Sequence, residues 1–393
     1  MGRTFVVVGG AGAMGRITVR DLVEFAPPSD RIIVADYDYA KARALAKSLS
    51  RRRVEAMFAD VTRPGLCARS FKGAFVLINN VQYQHNLNVM EIALLTGAHY
   101  VDLGGLFHMT RRQLRLHGRF KSAGRLAILG MGAAPGITNL LAWKASESLD
   151  RVSRVDIIVS AVDATRYDRT QALPVSYSLK TILEEFSKPP AVFRRGRFEF
   201  LEPMTVDGPY RFPAPVGTQT PMHTLHSEMA TLPLTLKSKG IREASFRIAF
   251  DSQFVERVRF LRDLGFASEV PVRIKDVAVA PIDVANCLAM SQAVPKAVGP
   301  LKQHEILRAV VRGSRGGRGL RVVADCHTKG MPRWGIGTDV DTGCPPSIAA
   351  LMLASGEIRR SGVLPPETAV DADLFFKHLR KRAMRVSVKT EIE

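Results

Sequence analysis

The stretch VVVGGAGAMGRITV, residues 6–19, constrains the fold of this chain more than any other. A β-branched run stops at a glycine pair, and a helix-forming run follows at once. Gly10, Gly12 and Gly15 fall in the G-x-G-x-x-G spacing. In that pattern the first glycine permits a tight turn and the second lets the backbone approach a pyrophosphate. The third lets the helix pack closely on the strand. The helix N-terminus, at Ala13 and Met14, then offers unpaired N–H donors and a partial positive charge to phosphates. A dinucleotide-binding strand–turn–helix is the reading that this context supports.

The next β-prone run ends in IIVADYD, which places Asp36 twenty-one residues after Gly15. A carboxylate there accepts hydrogen bonds from a ribose diol and repels a 2′-phosphate. NAD is therefore expected as cofactor, with NADP left open by nearby Lys41 and Arg43. Asp60 and Val61, after the third strand, are candidates for the adenine pocket, although Asp60 reads equally as an exposed loop residue. Asn80, after the fourth strand, completes the expected cofactor contacts.

Strands are expected at Thr4–Val8, Arg31–Ala35, Val54–Ala59, Ala74–Ile78, His99–Leu103 and Leu126–Leu129. Helical patterns fall between them at Met14–Glu24, Ala40–Ser50, His85–Thr96 and Thr110–Ala123. Alternation of this kind implies an α/β fold, a doubly wound parallel sheet with helices on both faces. Beyond about residue 150 the chain turns to β-rich segments with a few helices, the pattern of a second α+β domain with a mixed sheet. TGCPPSIAALMLASGEI, near the C-terminus, reads as a helix with prolines in its first turn. Its small apolar face suits a return to the first domain. The expected division is a Rossmann domain over 1–135, completed by about 340–393, and a substrate-binding and dimerisation domain over 136–339.

With 393 residues, two domains are the ordinary expectation. No apolar run reaches the roughly 20 residues that span a bilayer, so a cytoplasmic protein without membrane contact is expected. The four cysteines are widely spaced and His223 and His226 lack an accompanying H-E-x-x-H, which argues against disulfides and a metal site. A net charge of +19 raises the question of nucleic acid. The basic tracts at 50–53, 193–197, 312–319 and 379–382 carry no interleaved aromatics, and solvated basic faces explain them better.

A second glycine turn, GMGAAPGITNLLAWK at 130–144, follows the sixth strand and has no acid ending a next strand. It is a strand-to-helix turn at the carboxyl edge of the sheet, where ligands sit. The helix beginning near Gly136 is expected to point N–H donors at a substrate carboxylate or at the nicotinamide carboxamide. Together with YVDLGG at 100–105, APGITNLLA at 134–142, the TGCPPSIAALMLASGEI helix and GVLPPE, this turn resembles the saccharopine dehydrogenase family. Within it the L-lysine 6-dehydrogenases are most similar.

The resemblance implies hydride transfer between a nicotinamide and the C–N bond of an amino acid. L-lysine is the first substrate expected, with a two-substrate imine of the saccharopine or carboxypolyamine type as the alternative. It also implies a homodimer. A non-catalytic dinucleotide-sensing or nucleic-acid-binding protein on the same fold is the remaining alternative. SAVDATRYD at 160–168 departs from the Gly-Gly and apolar-Pro pattern of relatives, which puts the substrate in question.

Such chemistry needs a base, a carboxylate anchor and a dry pocket. Asp102, ending the fifth strand, is the first candidate to meet the reacting ammonium; it could instead cap the Gly104–Gly105 loop. His223 is the second candidate for proton transfer. Tyr83 and Tyr177 are expected to line the substrate pocket, Gly136 to serve it through its helix, and Arg166 or Arg169 to anchor a carboxylate.

Overall fold

The computed structural model describes residues 2–49, 52–175 and 177–393. The first layer is a seven-stranded parallel sheet. Six strands come from the N-terminal third: β1 (Thr4–Val8), β2 (Arg31–Asp36), β3 (Val54–Phe58), β4 (Val76–Asn79), β5 (His99–Asp102) and β6 (Leu126–Ile128). They lie in the order β6-β5-β4-β1-β2-β3, and Gly362–Leu364 pairs parallel to β6 at the edge. Their Val, Ile and Leu side chains are buried on both faces, as in a sheet covered by crossover helices. The seventh strand is three residues long and pairs far from its sequence neighbours, so no local pattern marks it. A short helix, Pro64–Ser70, and a break that divides the expected 110–123 helix into Leu106–Leu114 and His117–Ser122 are further local differences.

The second layer is an eight-stranded mixed sheet centred on β7 (Arg151–Asp163). β7 runs parallel to Glu243–Ala249 and antiparallel to Gln303–Arg315. Gln303–Arg315 and Arg318–Thr328 form a long hairpin whose turn uses Gly316 and Gly317, both in the left-handed region. The RGSRGGRG tract is therefore a hairpin end. Side chains alternate along β7: Val155, Ile157 and Val159 enter the main core, whereas Asp156 and Ile158 face the other way.

The helix Ile137–Glu147 joins the two layers and buries Ile137, Leu140, Leu141, Ala142 and Ala145 in one continuous core. Burial of each such large aliphatic side chain is worth about 1.5–3 kcal/mol. The helix Pro345–Ser355 returns to the first layer, where Gly343 just before it lies against Ile17 and accepts from the Thr18 hydroxyl at 2.7 Å. The last strand corrects the expected division. Arg385–Ile392 pairs antiparallel with Arg318–Thr328 and so extends the second sheet, not the first. Its alternation is too polar to reveal which sheet it joins.

Several basic tracts have structural partners. Arg382 is fully buried and forms a two-pronged ion pair with Asp21 at 2.6 and 2.7 Å. Arg53 donates to carbonyl groups at the end of the first helix, while Ser50 and Arg51 of the same tract lie outside the described residues.

Candidate active site

The first glycine turn carries its strain at Gly9, not Gly10. Gly9 has φ +71°, while a Cβ on Gly10 would lie 2.9 Å from Val34 Cγ1 on the neighbouring strand. A Cβ on Gly15 would come within 2.1 Å of the Gly9 carbonyl oxygen, which fixes the close approach of helix to turn. Helix Ala13–Phe25 begins at Gly12 with no side-chain cap. Its first-turn N–H groups, at Ala13 and Met14, thus have no partner within the helix. Asp36 accepts from Ala11 N at 2.9 Å through Oδ2 and from Asp38 N at 3.0 Å through Oδ1, so it stands beside the turn.

Asn80, at the end of β4, keeps its Nδ2 buried without a hydrogen-bond partner, next to Gly9. An orphaned donor beside an uncapped helix N-terminus fits a dinucleotide. Asp60 turns back on its own loop, accepting from the Thr62 amide and hydroxyl at 3.0 and 2.6 Å. Those bonds hold its carboxyl below the ordinary range. Val61 beside it is buried. Tyr37 is 73% exposed and packs against the exposed Phe58 ring at 5.7 Å, a pair that offers an aromatic surface next to Asp36.

Asp102 takes the place expected for it but not the exposure. It is 0% exposed, and both oxygens are filled. Oδ1 accepts from Gly104 N and Gly130 N at 2.9 and 2.6 Å. Oδ2 accepts from Tyr100 Oη at 2.9 Å, from Gln113 Nε2 at 2.6 Å and from Asn86 Nδ2 at 3.3 Å. Burial raises its carboxyl despite these donors. The expectation that Asp102 meets an ammonium is corrected: it ties the Gly104 loop to the second glycine turn.

Gly136 is corrected likewise. Its φ of +125° and a Cβ position 2.3 Å from the Gly132 oxygen demand glycine. The amides that begin the helix are already used. Gly136 N donates to Asn139 Oδ1, Ile137 N to Gly132 O and Thr138 N to Ala133 O. No open anion site remains at those three donors.

His223 sits on the outer face of the second sheet, away from the core shared with the first layer. It pairs in register with Arg247 and donates or accepts through Nε2 at 2.9 Å to Asp207, which also binds Arg247 at 3.0 Å. With Arg154, Asp156, Arg194 and Ser245 these residues line a cavity of about 310 Å³ on the outer face. Burial lowers the His223 imidazole, with the Asp207 carboxylate opposing it. A two-residue strand is too short for periodicity to reveal which face its side chains take.

Three residues later the chain has crossed over. His226 stacks on Phe246 at 3.8 Å between centroids, and Phe246 belongs to the main core facing the first layer. His226 Nδ1 is bound closely to Glu228 Oε2, and Glu228 Oε1 accepts from Thr138 Oγ1 at 2.7 Å. Thr138 stands on the helix that follows the second glycine turn. Burial lowers the His226 imidazole, but the charges of Glu228 and Glu185 outweigh it and the net shift is upward. Glu185, on the helix Leu179–Ser187, is pushed up to about 7 by burial, which the nearby His226 charge only partly offsets. Tyr177 Oη lies 3.5 Å from Glu185 Oε2.

Leu179, Ile182, Leu183 and Phe186 define the apolar stripe of that helix, and Glu185 stands three residues from Ile182 on its margin. That spacing was the available signal for a buried acid. Tyr83 reaches the same helix from the first layer, donating to Glu184 Oε1 at 2.9 Å and accepting from Lys188 Nζ at 3.2 Å. Burial and the Glu184 charge push its phenol up to about 12. Arg166 and Arg169 are exposed, and Arg169 pairs with Asp168 at 3.6 Å. No bond joins either arginine to Glu185, His226 or Glu228, so the expected anchor is not brought to this cluster.

The saccharopine dehydrogenase NADP binding domain model matches residues 5–128, and the saccharopine dehydrogenase C-terminal domain model matches residues 132–384. The chain belongs to the saccharopine dehydrogenase family. It is thus an NAD(P)-dependent oxidoreductase of the amine–imine type. It is 21% identical over 388 residues to the carboxyaminopropylagmatine dehydrogenase of Synechocystis sp., covering 95% of this chain and 94% of that one. It is 24% identical over 259 residues to the carboxynorspermidine synthase of Vibrio cholerae, covering 63% and 59%. The fold is that of saccharopine dehydrogenase (L-Glu forming) from Saccharomyces cerevisiae, with a TM-score of 0.73 at 17% identity over 99% of this chain and 100% of that one. Among the described residues no helix is long and apolar enough to cross a membrane, and no group of three or more side chains is placed to hold a metal.

Proposed function

We propose that this member of the saccharopine dehydrogenase family acts on the C–N bond of a carboxylated amine built from two substrates, as in the carboxypolyamine-type enzymes. The observation that carries the reading is the buried Thr138–Glu228–His226 chain with Glu185 beside it, between the helix after the second glycine turn and the second sheet. The two relatives described above have names that point to the same class. L-lysine as substrate, the first expectation from sequence, becomes the second reading.

Gly12, Ala13, Met14 and Gly15 would hold the pyrophosphate of a dinucleotide, Asp36 the ribose, and Asn80 Nδ2 a polar group of the cofactor, which would supply hydride exchange at the carbon that bears nitrogen. The protein supplies the rest. Glu185 takes the proton from the ammonium, since a carboxyl held at about 7 accepts it near neutral pH. The Glu228 carboxylate fixes the His226 ring and its charge, and Tyr177 and Phe246 exclude water. Asp36 favours NAD over NADP. A homodimer is supported by the apolar side chains Leu264, Val270, Ile274 and Val277, all exposed in one chain, and sedimentation velocity tests it.

The deciding assay is NAD(P)H formation with carboxynorspermidine, carboxyaminopropylagmatine, saccharopine and L-lysine, each with NAD and NADP. Turnover of the first two supports the proposal. Turnover of L-lysine alone replaces it with the lysine reading, and saccharopine alone replaces it with the glutamate–lysine conjugate.

A further inference from the structure

We propose that the outer face of the second sheet binds a phosphate-type oxyanion, a role that goes beyond the amine chemistry above. The frame of the site is a row of residues in register across five strands. Glu243 pairs with Arg154, Arg154 with Arg312, Arg312 with Arg321, and Arg321 with Glu391. Arg154 and Asp156 alternate with Val155 and Ile157 of the main core, so the row lies on the face turned away from the first layer. Three arginines thus stand side by side on neighbouring strands, a placement that their like charges oppose. A cavity of about 160 Å³ opens over them. Arg154, Arg247, Arg312 and Arg321 line it, together with Tyr210 and one carboxylate, Asp156. It adjoins the cavity of about 310 Å³ described above, and Arg154, Asp156 and Arg247 line both.

The one carboxylate is already divided among several donors. Asp156 accepts from Arg154 at 2.7 and 3.1 Å and from Ser245 Oγ at 2.7 Å. It also lies 3.4 Å from Arg312 and 3.6 Å from Arg247. The other counter-charges reach the arginines from outside this lining. Glu243 pairs with Arg154 at 3.2 Å, Asp207 with Arg247 at 3.0 Å and Glu393 with Arg312 at 2.6 Å. Glu391 pairs with Arg321. Donor capacity is left over. Arg247 is 9% exposed, and its Nε has no hydrogen-bond partner. Tyr210 Oη accepts from Arg308 Nη1 at 3.3 Å, and its own proton meets no protein acceptor among the described residues.

A buried donor without an acceptor marks a place for a water or an ion. Four guanidinium groups around one shared carboxylate select an anion. Guanidinium forks match the oxygens of a phosphate two at a time, and such charge-assisted bonds are the strong ones. The volume suits a single phosphate group, either free or as the end of a small monoester. The organic part of a monoester would extend into the larger cavity. Arg312 comes from the basic tract at 312–319, so one charge of that tract faces a site instead of open solvent.

Titration calorimetry of the NAD-saturated full chain tests the site, with inorganic phosphate and glycerol 3-phosphate as probes and sodium chloride holding the ionic strength constant. Bound NAD keeps the phosphate-binding amides of the first layer occupied. The expected result is a Kd of about 1 mM or tighter for at least one probe. Arg321→Ala removes a partly exposed side chain and should weaken that binding about tenfold. Arg318→Ala removes the same charge at the exposed hairpin turn, outside the cavity, and should leave Kd unchanged. A wild-type Kd weaker than about 1 mM for both probes overturns the proposal. So does binding that Arg321→Ala leaves unchanged, or that both variants weaken equally, which would mean a diffuse field of charge. The wild-type Kd decides even where a variant does not fold. Tighter binding of glycerol 3-phosphate would support a monoester reaching the larger cavity, and tighter binding of phosphate would support the free ion.

Discussion

Glu185 gives the sharpest test at the scale of a single residue. Its carboxyl is raised from 4.5 to about 7 by burial, so between those values the folded chain holds a proton that the unfolded chain has released. Stability therefore falls as pH rises through that window. Glu185→Gln removes the dependence. The variant should be more stable above pH 7 by up to roughly 3 kcal/mol, with the gap closing toward the acid end. Thermal unfolding on both sides of the window checks the sign. The same substitution should lower kcat by about a hundredfold or more, because the amide accepts no proton. Asp36 makes a separate claim about the cofactor. Asp36→Ala should raise KM for NAD and leave KM for NADP equal or lower, read from initial rates with each cofactor.

Among the elements, the first helix and the C-terminal segment depend on one another. Arg382 lies over the Phe25 ring at 3.8 Å and pairs with Asp21, which also accepts from the Ser347 hydroxyl. Removing the guanidinium leaves a buried carboxylate unpaired, a change that costs about 3–5 kcal/mol. Arg382→Leu should show that loss in urea unfolding, and Asp21→Asn in the same chain should restore part of it. This bond removes Arg382 from the basic tract at 379–382, whose Arg380 and Lys381 remain exposed. The helix Leu179–Ser187 is bound to the first layer differently, through Tyr83 to Glu184 and Lys188.

For the whole molecule, that Tyr83 contact spans the two layers on either side of the candidate site. Tyr83→Phe removes one hydroxyl and two hydrogen bonds, worth about 1–2 kcal/mol. The expected effect is a several-fold rise in KM for the amine with cofactor affinity unchanged. Fluorescence titration of NADH beside steady-state kinetics separates the two. Equal losses in both would mean that the contact supports the dinucleotide layer instead of the approach of the second sheet.

The first glycine turn, the alternation of short strands with helices and the acid after β2 made the parallel sheet readable, because each is set by local backbone geometry. Tertiary structure decided what local pattern does not encode. Asp102 has the right position along the chain, yet five donors occupy it. His223 and His226 differ by three residues, and only the pairing with Arg247 and the stacking on Phe246 assign them to opposite faces. Glu185 is an ordinary acid in sequence. Its character comes from burial beside His226, and burial is a property of the packed molecule. The sequence by itself determined a dinucleotide-binding sheet, since glycine spacing acts within one turn. Which acids are buried together was decided by two sheets meeting across a shared core.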